Sequence, residues 1–576
     1  MPDGRSAALL VAASLSCRLC CVSAAVAVPP CLIGSPPGDT SGKGGESMTC
    51  KRVIALYAVF VLLACAMLLR LALLASDPQY RAASADQSTA ELTAVVKRPH
   101  FYDRGGQPIT GTASGCLAVA VPGNPASYNI LRALGEEQAE AFRERMQQGT
   151  PFLVPLDEQL PAHSLVTCLP SGGRTVPPLY SHLIGYLAWD GTGAAGLESA
   201  FEGMLAASSR RVRLRYPVDA MGSLLPDTLV SVVDEGAVSA GVLLTVDTRV
   251  QQAADDAAAH MRKGAVVVLD CRSGEILAMV SRPAYSADRV AEYLSDPDGA
   301  LVNRALAQYS IGSVFKLVVQ AAALEAGISA DWAYTCTGSI AVGDTVFSCA
   351  GGGVHGELTM SGALAQSCNC YHIALAQLLG PRPIRTMAVR LGFGRALTLA
   401  EGYRTAAGLL PTESQLADTG EFSNFSFGQG RLMANPIQLA AAVAAIANGG
   451  RYTEPSLVLS AGEVSGWDWS PPHESSAVMS GATAEALCRH MCAVLTEGTA
   501  APAAPRTVSA AGKTGTAESG EYTGGREKIV STFAGFFPAD DPKYVAVVVS
   551  ERDSDADPVA IRVFTRLAET LYPAEP

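Results

Sequence analysis

A surplus of basic charge is missing from this chain of 576 residues: 42 Lys and Arg face 54 Asp and Glu, a formal net charge of −12. Without a basic footprint the chain has no electrostatic hold on a polyanion, which excludes nucleic acid as a partner. Histidine is sparse, with eight residues that form no ligand spacing. The nearest approach to a metal set is Cys488 and Cys492 around His490. On a helix, positions i and i+4 share a face while i+2 points away, so these three read as core residues. No metal and no cofactor is therefore expected. No internal repeat is present, and long uncharged apolar runs are confined to one place near the N-terminus. What the chain does have is apolar residues, 49% of the total. At this length that composition supports two or three domains, each with its own core.

The N-terminal region divides in two. Residues 1–47 hold a weakly apolar stretch broken by Arg18, then a Gly, Ser and Pro-rich run from Gly34 to Ser47. They read as an N-terminal extension, signal-like or outside the true start, and Met48 looks like the natural beginning. Val53 to Leu69 carries no charge, and with Arg70 snorkelling the apolar span extends to Ala75, long enough to cross a bilayer. Residues 48–76 are thus expected to be a cytoplasmic stub and a transmembrane helix, the alternative being a buried core helix. Lys51 and Arg52 put the N-terminal side in the cytoplasm, which makes the rest of the chain extracytoplasmic and the protein single-pass.

The chemistry centres on Ser310-Ile311-Gly312-Ser313-Val314-Phe315-Lys316 and the apolar run that follows it. If Ser313 opens a helix, Lys316 lies one turn on and on the same face. A serine hydroxyl is a poor nucleophile until a neighbour takes its proton, and a desolvated lysine can do so as a neutral amine. Alone, Ser-x-x-Lys is a weak signal that an N-cap serine and a solvated lysine would satisfy equally. Two further elements follow in order: Ser367-Cys368-Asn369, which alone would read as a turn, and Lys513-Thr514-Gly515-Thr516-Ala517.

The three together, in this order and approximate spacing, resemble the penicillin-binding protein and serine β-lactamase superfamily. Ile311-Gly312 stands where that family usually has Pro-Gly. Arg98 to Gly106, His182 to Tyr186 and Gly196-Leu197-Glu198 resemble the non-catalytic module of class B penicillin-binding proteins. Leu243 to Asp247 resembles the entry to their transpeptidase domain, and Phe427 to Gly430 with Ala434 to Ala440 resembles a loop and helix beneath the cleft. The resemblance covers nearly everything after Met48, and the cysteine pattern is similar to that of proteins from Gram-positive spore formers. The implied fold is α/β: a largely antiparallel sheet flanked by helices over 241–576, a mixed α/β pedestal over 88–240, and the single membrane helix. Hairpins at Ala265 to Val280 and at Thr532 to Ser550, and a closing helix from Val559 to Leu571, fit that sheet. After the closing helix no wall-binding repeat is expected.

The implied function is serine-type D,D-transpeptidation of peptidoglycan stem peptides, with β-lactams captured at the same serine. Ser313 is the implied nucleophile and Lys316 its base; Ser367 relays a proton and Asn369 binds the peptide. Lys513 and Thr514 meet the terminal carboxylate, Gly515 lets the backbone approach, and the N–H groups of Ser313 and Thr516 form the oxyanion hole. Implied partners are the membrane and a multipass glycan polymerase of the shape, division or sporulation class. The alternatives are a D,D-carboxypeptidase or β-lactamase, and a β-lactam sensor or scaffold. Glu401, Glu413 and Glu421 have no Asn four residues on, so the deacylating Glu-x-x-x-Asn pattern of class A β-lactamases is absent. Cys349 with Cys368 or Cys370 forms a candidate redox pair that would disturb the cleft when bridged. Alternatively, Cys368 and Cys370 are small buried residues, and a Cys336 to Cys349 bridge is structural.

Overall fold

A computed structural model describes residues 46–80, 89–188, 191–219, 231–236, 240–464, 475–523, 526–553 and 559–574. The expectation for residues 1–47 falls, as far as residue 45, outside them. Two compact units are present, Met1–Ala85 and Asp86–Pro576.

In the first unit a helix runs over Glu46–Ser76, and within it Lys51–Ser76 is long and apolar enough to cross a membrane. Its large apolar side chains are exposed, Phe60 and Leu62 among them. Length, composition and exposure favour a membrane span over a buried core helix.

The second unit is organised by a five-stranded, fully antiparallel sheet. In spatial order its strands are Ile276–Arg282, Gly264–Asp270, Tyr544–Asp553, Arg526–Phe537 and Ala511–Thr523. The two hairpins read from sequence are both in it, and their β-branched central strands are buried on both faces: Val266, Val267 and Val268 oppose Val548, Val547 and Ala546. Burial on both faces needs helices on both. One side is closed by Ala560–Leu571, where Phe564 packs 4.5 Å from Phe533 between ring centroids. The other is covered by Pro436–Ala447, apolar but for Gln438 and started by a capping box of Asn435 and Gln438. Beside it lies Lys316–Glu325, whose residues from Lys316 to Ala323 are all buried. It stops at Ala326, with Gly327 at φ +84°.

The segment expected as a pedestal over 88–240 spreads across three cores. Cys116, Ala118, Phe142 and Phe152 form one, and Ala94, Val212 and Leu214 another. Phe101, Tyr180, Leu183 and Leu197 join the main core instead. His100–Tyr102 pairs in parallel with Ala240–Leu244, which pairs in turn with Val458–Glu463, so a sheet crosses the expected boundary at 240. Two of the segments singled out in the sequence meet here. Arg98 Nε donates to Glu198 at 2.9 Å and Arg174 Nε to the same carboxylate at 2.5 Å. All three side chains are buried.

Candidate active site

Ser313 does not open an α-helix. Gly312–Phe315 is a 3₁₀ turn, and the α-helix begins at Lys316. The i, i+3 relation survives this, because side chains three apart eclipse in a 3₁₀ turn. The turn is seated by glycines. A Cβ at Gly515 would lie 2.5 Å from the Ile311 carbonyl oxygen, and one at Gly428 would lie 1.9 Å from that of Gly312. Any side chain at either position would push the nucleophile's backbone out of place.

The middle motif is built by a helix ending. Met360–Ala365 terminates with Cys368 N–H donating to Ala363 O at 2.9 Å and Ser367 N–H to Leu364 O at 3.1 Å, the two bonds of a Schellman motif. Ser367 therefore occupies the left-handed position usually given to glycine, at φ +54°. The next helix, Asn369–Leu379, starts at once, with Cys368 as its N-cap. Two residues held by two helix ends thus project into the cleft.

Lys316, Ser367, Asn369, Lys513 and Thr514 converge. Lys316 Nζ donates to Ser367 O at 2.6 Å and Asn369 Oδ1 at 2.7 Å, and lies 3.4 Å from Ser367 Oγ. Lys513 Nζ donates to the same Oγ at 3.0 Å and to Thr514 O at 3.1 Å and Oγ1 at 3.2 Å. Among the described residues Lys316 makes no hydrogen bond to Ser313 Oγ. The expected base is aimed first at the second motif. Both lysines are completely buried, and no carboxylate pairs with either among the described residues. Desolvation brings Lys316 down to about 7. Desolvation, and then the charge of Lys316, hold Lys513 well below the ordinary lysine value. Thr516 is exposed on the edge strand Ala511–Thr523, within reach of Gln429, whose Nε2 lies 3.4 Å from its carbonyl oxygen.

Several contributors carry no motif signal. Gln320, the one polar residue of its apolar run, donates to Met360 O at 2.8 Å and accepts from His490 Nδ1 at 3.0 Å. Its Nε2 lies 3.1 Å from His372 Nε2, and His372 Nδ1 lies 2.8 Å from Cys368 O. With Gln320 donating, His372 must accept at Nε2 and donate from Nδ1, so a neutral chain braces the Cys368 carbonyl from below. Burial keeps both imidazoles neutral, with His490 at about 4 and His372 well below its ordinary value. His490 therefore faces away from Cys488 and Cys492, which pack against the core as expected. The cysteines of the presumed redox pair are present as thiols. Cys349 Sγ lies 3.7 Å from Cys368 Sγ and 3.5 Å from Cys370 Sγ, and Cys336 Sγ lies 3.7 Å from Cys349 Sγ.

Comparison with known proteins places this geometry in context. The penicillin-binding protein PbpB of Mycolicibacterium smegmatis is 30% identical over 405 residues, covering 66% of this chain and 61% of that protein. Stage V sporulation protein D of Bacillus subtilis is 30% identical over 395 residues, 64% of this chain and 58% of its own. The chain spans about three fifths of the length of these curated relatives. The crystal structure of penicillin-binding protein 3 from Mycobacterium tuberculosis, complexed with aztreonam, shares the fold with a TM-score of 0.61 at 24% identity. It covers 84% of this chain and 98% of that one. The family model "Penicillin binding protein transpeptidase domain" matches residues 264–569, a stretch that contains all three motifs and the whole five-stranded sheet. The chain belongs to the penicillin-binding protein transpeptidase family.

Proposed function

We propose that this chain is a class B, serine-type D,D-transpeptidase that cross-links peptidoglycan stem peptides through an acyl-enzyme at Ser313. The observation that carries this reading is the pair of buried amines sharing one hydroxyl, Ser367 Oγ, beside the 3₁₀ turn that bears Ser313. A neutral Lys316 has two N–H groups and one lone pair. Its two short bonds, to Ser367 O and Asn369 Oδ1, use both N–H groups and leave the lone pair to accept a proton.

In the first step Ser313 Oγ bonds to the penultimate D-Ala carbonyl carbon and its proton passes to Lys316 Nζ. As the C–N bond breaks, Ser367 Oγ delivers a proton to the departing D-Ala nitrogen and is resupplied from Lys316. The N–H groups of Ser313 and Thr516 carry the oxyanion. Lys513 and Thr514 receive the substrate carboxylate, whose charge compensates a Lys513 that burial and the neighbouring Lys316 make costly to ionise. Asn369 binds the peptide amide, and the peptide lies as a sixth strand along Ala511–Thr523, which forms the sheet's open edge. Attack by an amine on the ester then gives the cross-link.

Glu421 Oε1 accepts from Arg431 N at 3.0 Å and holds the loop that carries Gln429. The absence of the Glu-x-x-x-Asn pattern at Glu401, Glu413 and Glu421 supports slow deacylation over the β-lactamase alternative. The helix Lys51–Ser76 supports a single-pass anchor and Lys51 with Arg52 a cytoplasmic N-terminus, while the family resemblance supports a multipass glycan polymerase of the shape, division or sporulation class as partner. Intact-mass analysis of the purified chain with penicillin tests the assignment. A long-lived penicilloyl adduct that disappears in Ser313→Ala is expected. Rapid drug turnover, or an adduct that persists in that variant, would overturn it.

A further inference from the structure

Buried side chains tie together the elements that carry the three motifs. Gln320 lies one turn beyond Lys316 on Lys316–Glu325, His372 one turn beyond Asn369 on Asn369–Leu379, and His490 on the helix Gly481–Thr496. That last helix leads to Thr499, whose N–H donates to Ala365 O at 3.0 Å and whose Oγ1 lies 3.2 Å from Thr514 Oγ1. Gln320 and His372 are completely buried and His490 nearly so. Polar groups are costly at such a place unless every one is bonded.

Polarity along this chain is fixed at both ends. The Met360 carbonyl can only accept, so Gln320 turns Nε2 to it at 2.8 Å, and Oε1 is left to take the proton on His490 Nδ1 at 3.0 Å. The Cys368 carbonyl can likewise only accept, so His372 carries its proton on Nδ1, 2.8 Å away. Its Nε2, 3.1 Å from Gln320 Nε2, must then be bare. Only the neutral Nδ1–H form of His372 satisfies both neighbours, because a proton on Nε2 would set donor against donor. Burial, and then the charges of Lys316, Lys513 and His490, hold this imidazole well below its ordinary value.

The carbonyl that His372 holds adjoins the one that Lys316 uses. Lys316 Nζ donates to Ser367 O at 2.6 Å, and His372 to Cys368 O, the next peptide along. These contacts are two rungs between one helix and one loop: Lys316 makes the first, and Gln320, four residues on and on the same face, makes the second through His372. The first rung depends on an amine that gains and loses a proton during acylation. The second is neutral throughout.

We propose that Gln320 and His372 are positioning residues for acylation, which hold the Ser367 to Asn369 loop against Lys316 while the lysine changes charge. They touch no reacting atom, and their effect passes through Lys316 and Ser367. The role rests on the transpeptidase reading. Without the second rung, the loop that keeps Lys316 buried and aimed is free to move, and a displacement of about 1 Å costs on the order of a hundredfold in rate.

The experiment is stopped-flow acylation of the full chain in detergent by penicillin, across drug concentration and pH, for wild type, Gln320→Leu, His372→Phe and the double variant. The limiting rate is expected to fall about a hundredfold in each single variant. The drug concentration that gives half of that rate should change by less than about twofold, since Lys513 and Thr514 stand on another element, Ala511–Thr523. The double variant should be no slower than the slower single one, because both act through one path. The acid limb of the rate, at about 7 in the wild type, should move up as Lys316 regains water. Rate and binding weakened together, additive losses in the double variant, or a limb that stays in place would overturn the positioning role, as would full acylation by His372→Phe. Because a buried substitution can also cost structure, nitrogen NMR of wild-type chain labelled at histidine gives a second reading. His372 is expected to be neutral and protonated at Nδ1 wherever the chain acylates, and a charged or Nε2-protonated ring there would overturn the role. A wild type with that ring form that never acylates would instead overturn the transpeptidase reading.

Discussion

At Lys316, burial alone supplies most of what a base needs. With the side chain at about 7 instead of the usual 10.5, a large part of the population is a neutral amine at physiological pH. A group whose value is lowered this way is protonated below it and competent above it. The second-order rate of penicillin acylation should therefore climb about tenfold per pH unit below about 7 and level off above it. Stopped-flow acylation between acid and mildly alkaline pH checks this, and a limb near the ordinary lysine value would contradict the proposed role. Ser367 offers a second test at the same scale. Replacing it by Gly or by Ala removes the same hydroxyl, but only Gly adopts φ +54° freely. Thermal unfolding should find Ser367→Gly more stable than Ser367→Ala by about 1 kcal/mol, with both equally slow to acylate.

Among the elements, the buried carboxylate of Glu198 is the most exposed to damage. It joins the segment at Arg98 to the short strand Arg174–Thr175, with both guanidiniums buried beside it. Glu198→Gln leaves Arg174 without its counter-charge and Arg98 with Glu202 alone, and is expected to lower stability by about 3–5 kcal/mol. Differential scanning calorimetry reads the loss, and acylation measured well below the melting temperature should persist. The sequence already held both halves of this contact as separate short segments, but nothing in either named the other. The three catalytic motifs were legible for the opposite reason: each is a local pattern whose residue types are constrained by chemistry. The two hairpins of the central sheet were visible as β-branched runs. The long edge strand Ala511–Thr523 was legible only through the family resemblance, which puts an edge strand at Lys513; its own composition does not announce one, because Gly512 and Gly515 are there to admit the Phe533 ring and the Ile311 carbonyl. The neutral chain from His490 through Gln320 to His372 stayed hidden because its members meet only in three dimensions, whereas the grouping of Cys349 with Cys336, Cys368 and Cys370 was already an expectation of the sequence.

Taken whole, the molecule pairs an apolar helix with a compact unit over Asp86–Pro576 that has its own cores. Deleting residues 1–76 should move the protein from the membrane pellet to the soluble fraction while fluorescent penicillin still labels it. Labelling that vanishes with the anchor would show the catalytic unit to depend on it. One feature of that unit also carries a liability. The strand Ala511–Thr523 must keep its outer row of backbone donors and acceptors open if it is to receive a peptide, and an open row is equally a template for another molecule's strand. Crowded protein should therefore self-associate edge to edge, most readily when the cleft is empty. Light scattering of concentrated ectodomain should fall once penicillin fills the groove, so that the drug that inactivates the molecule also keeps it dispersed.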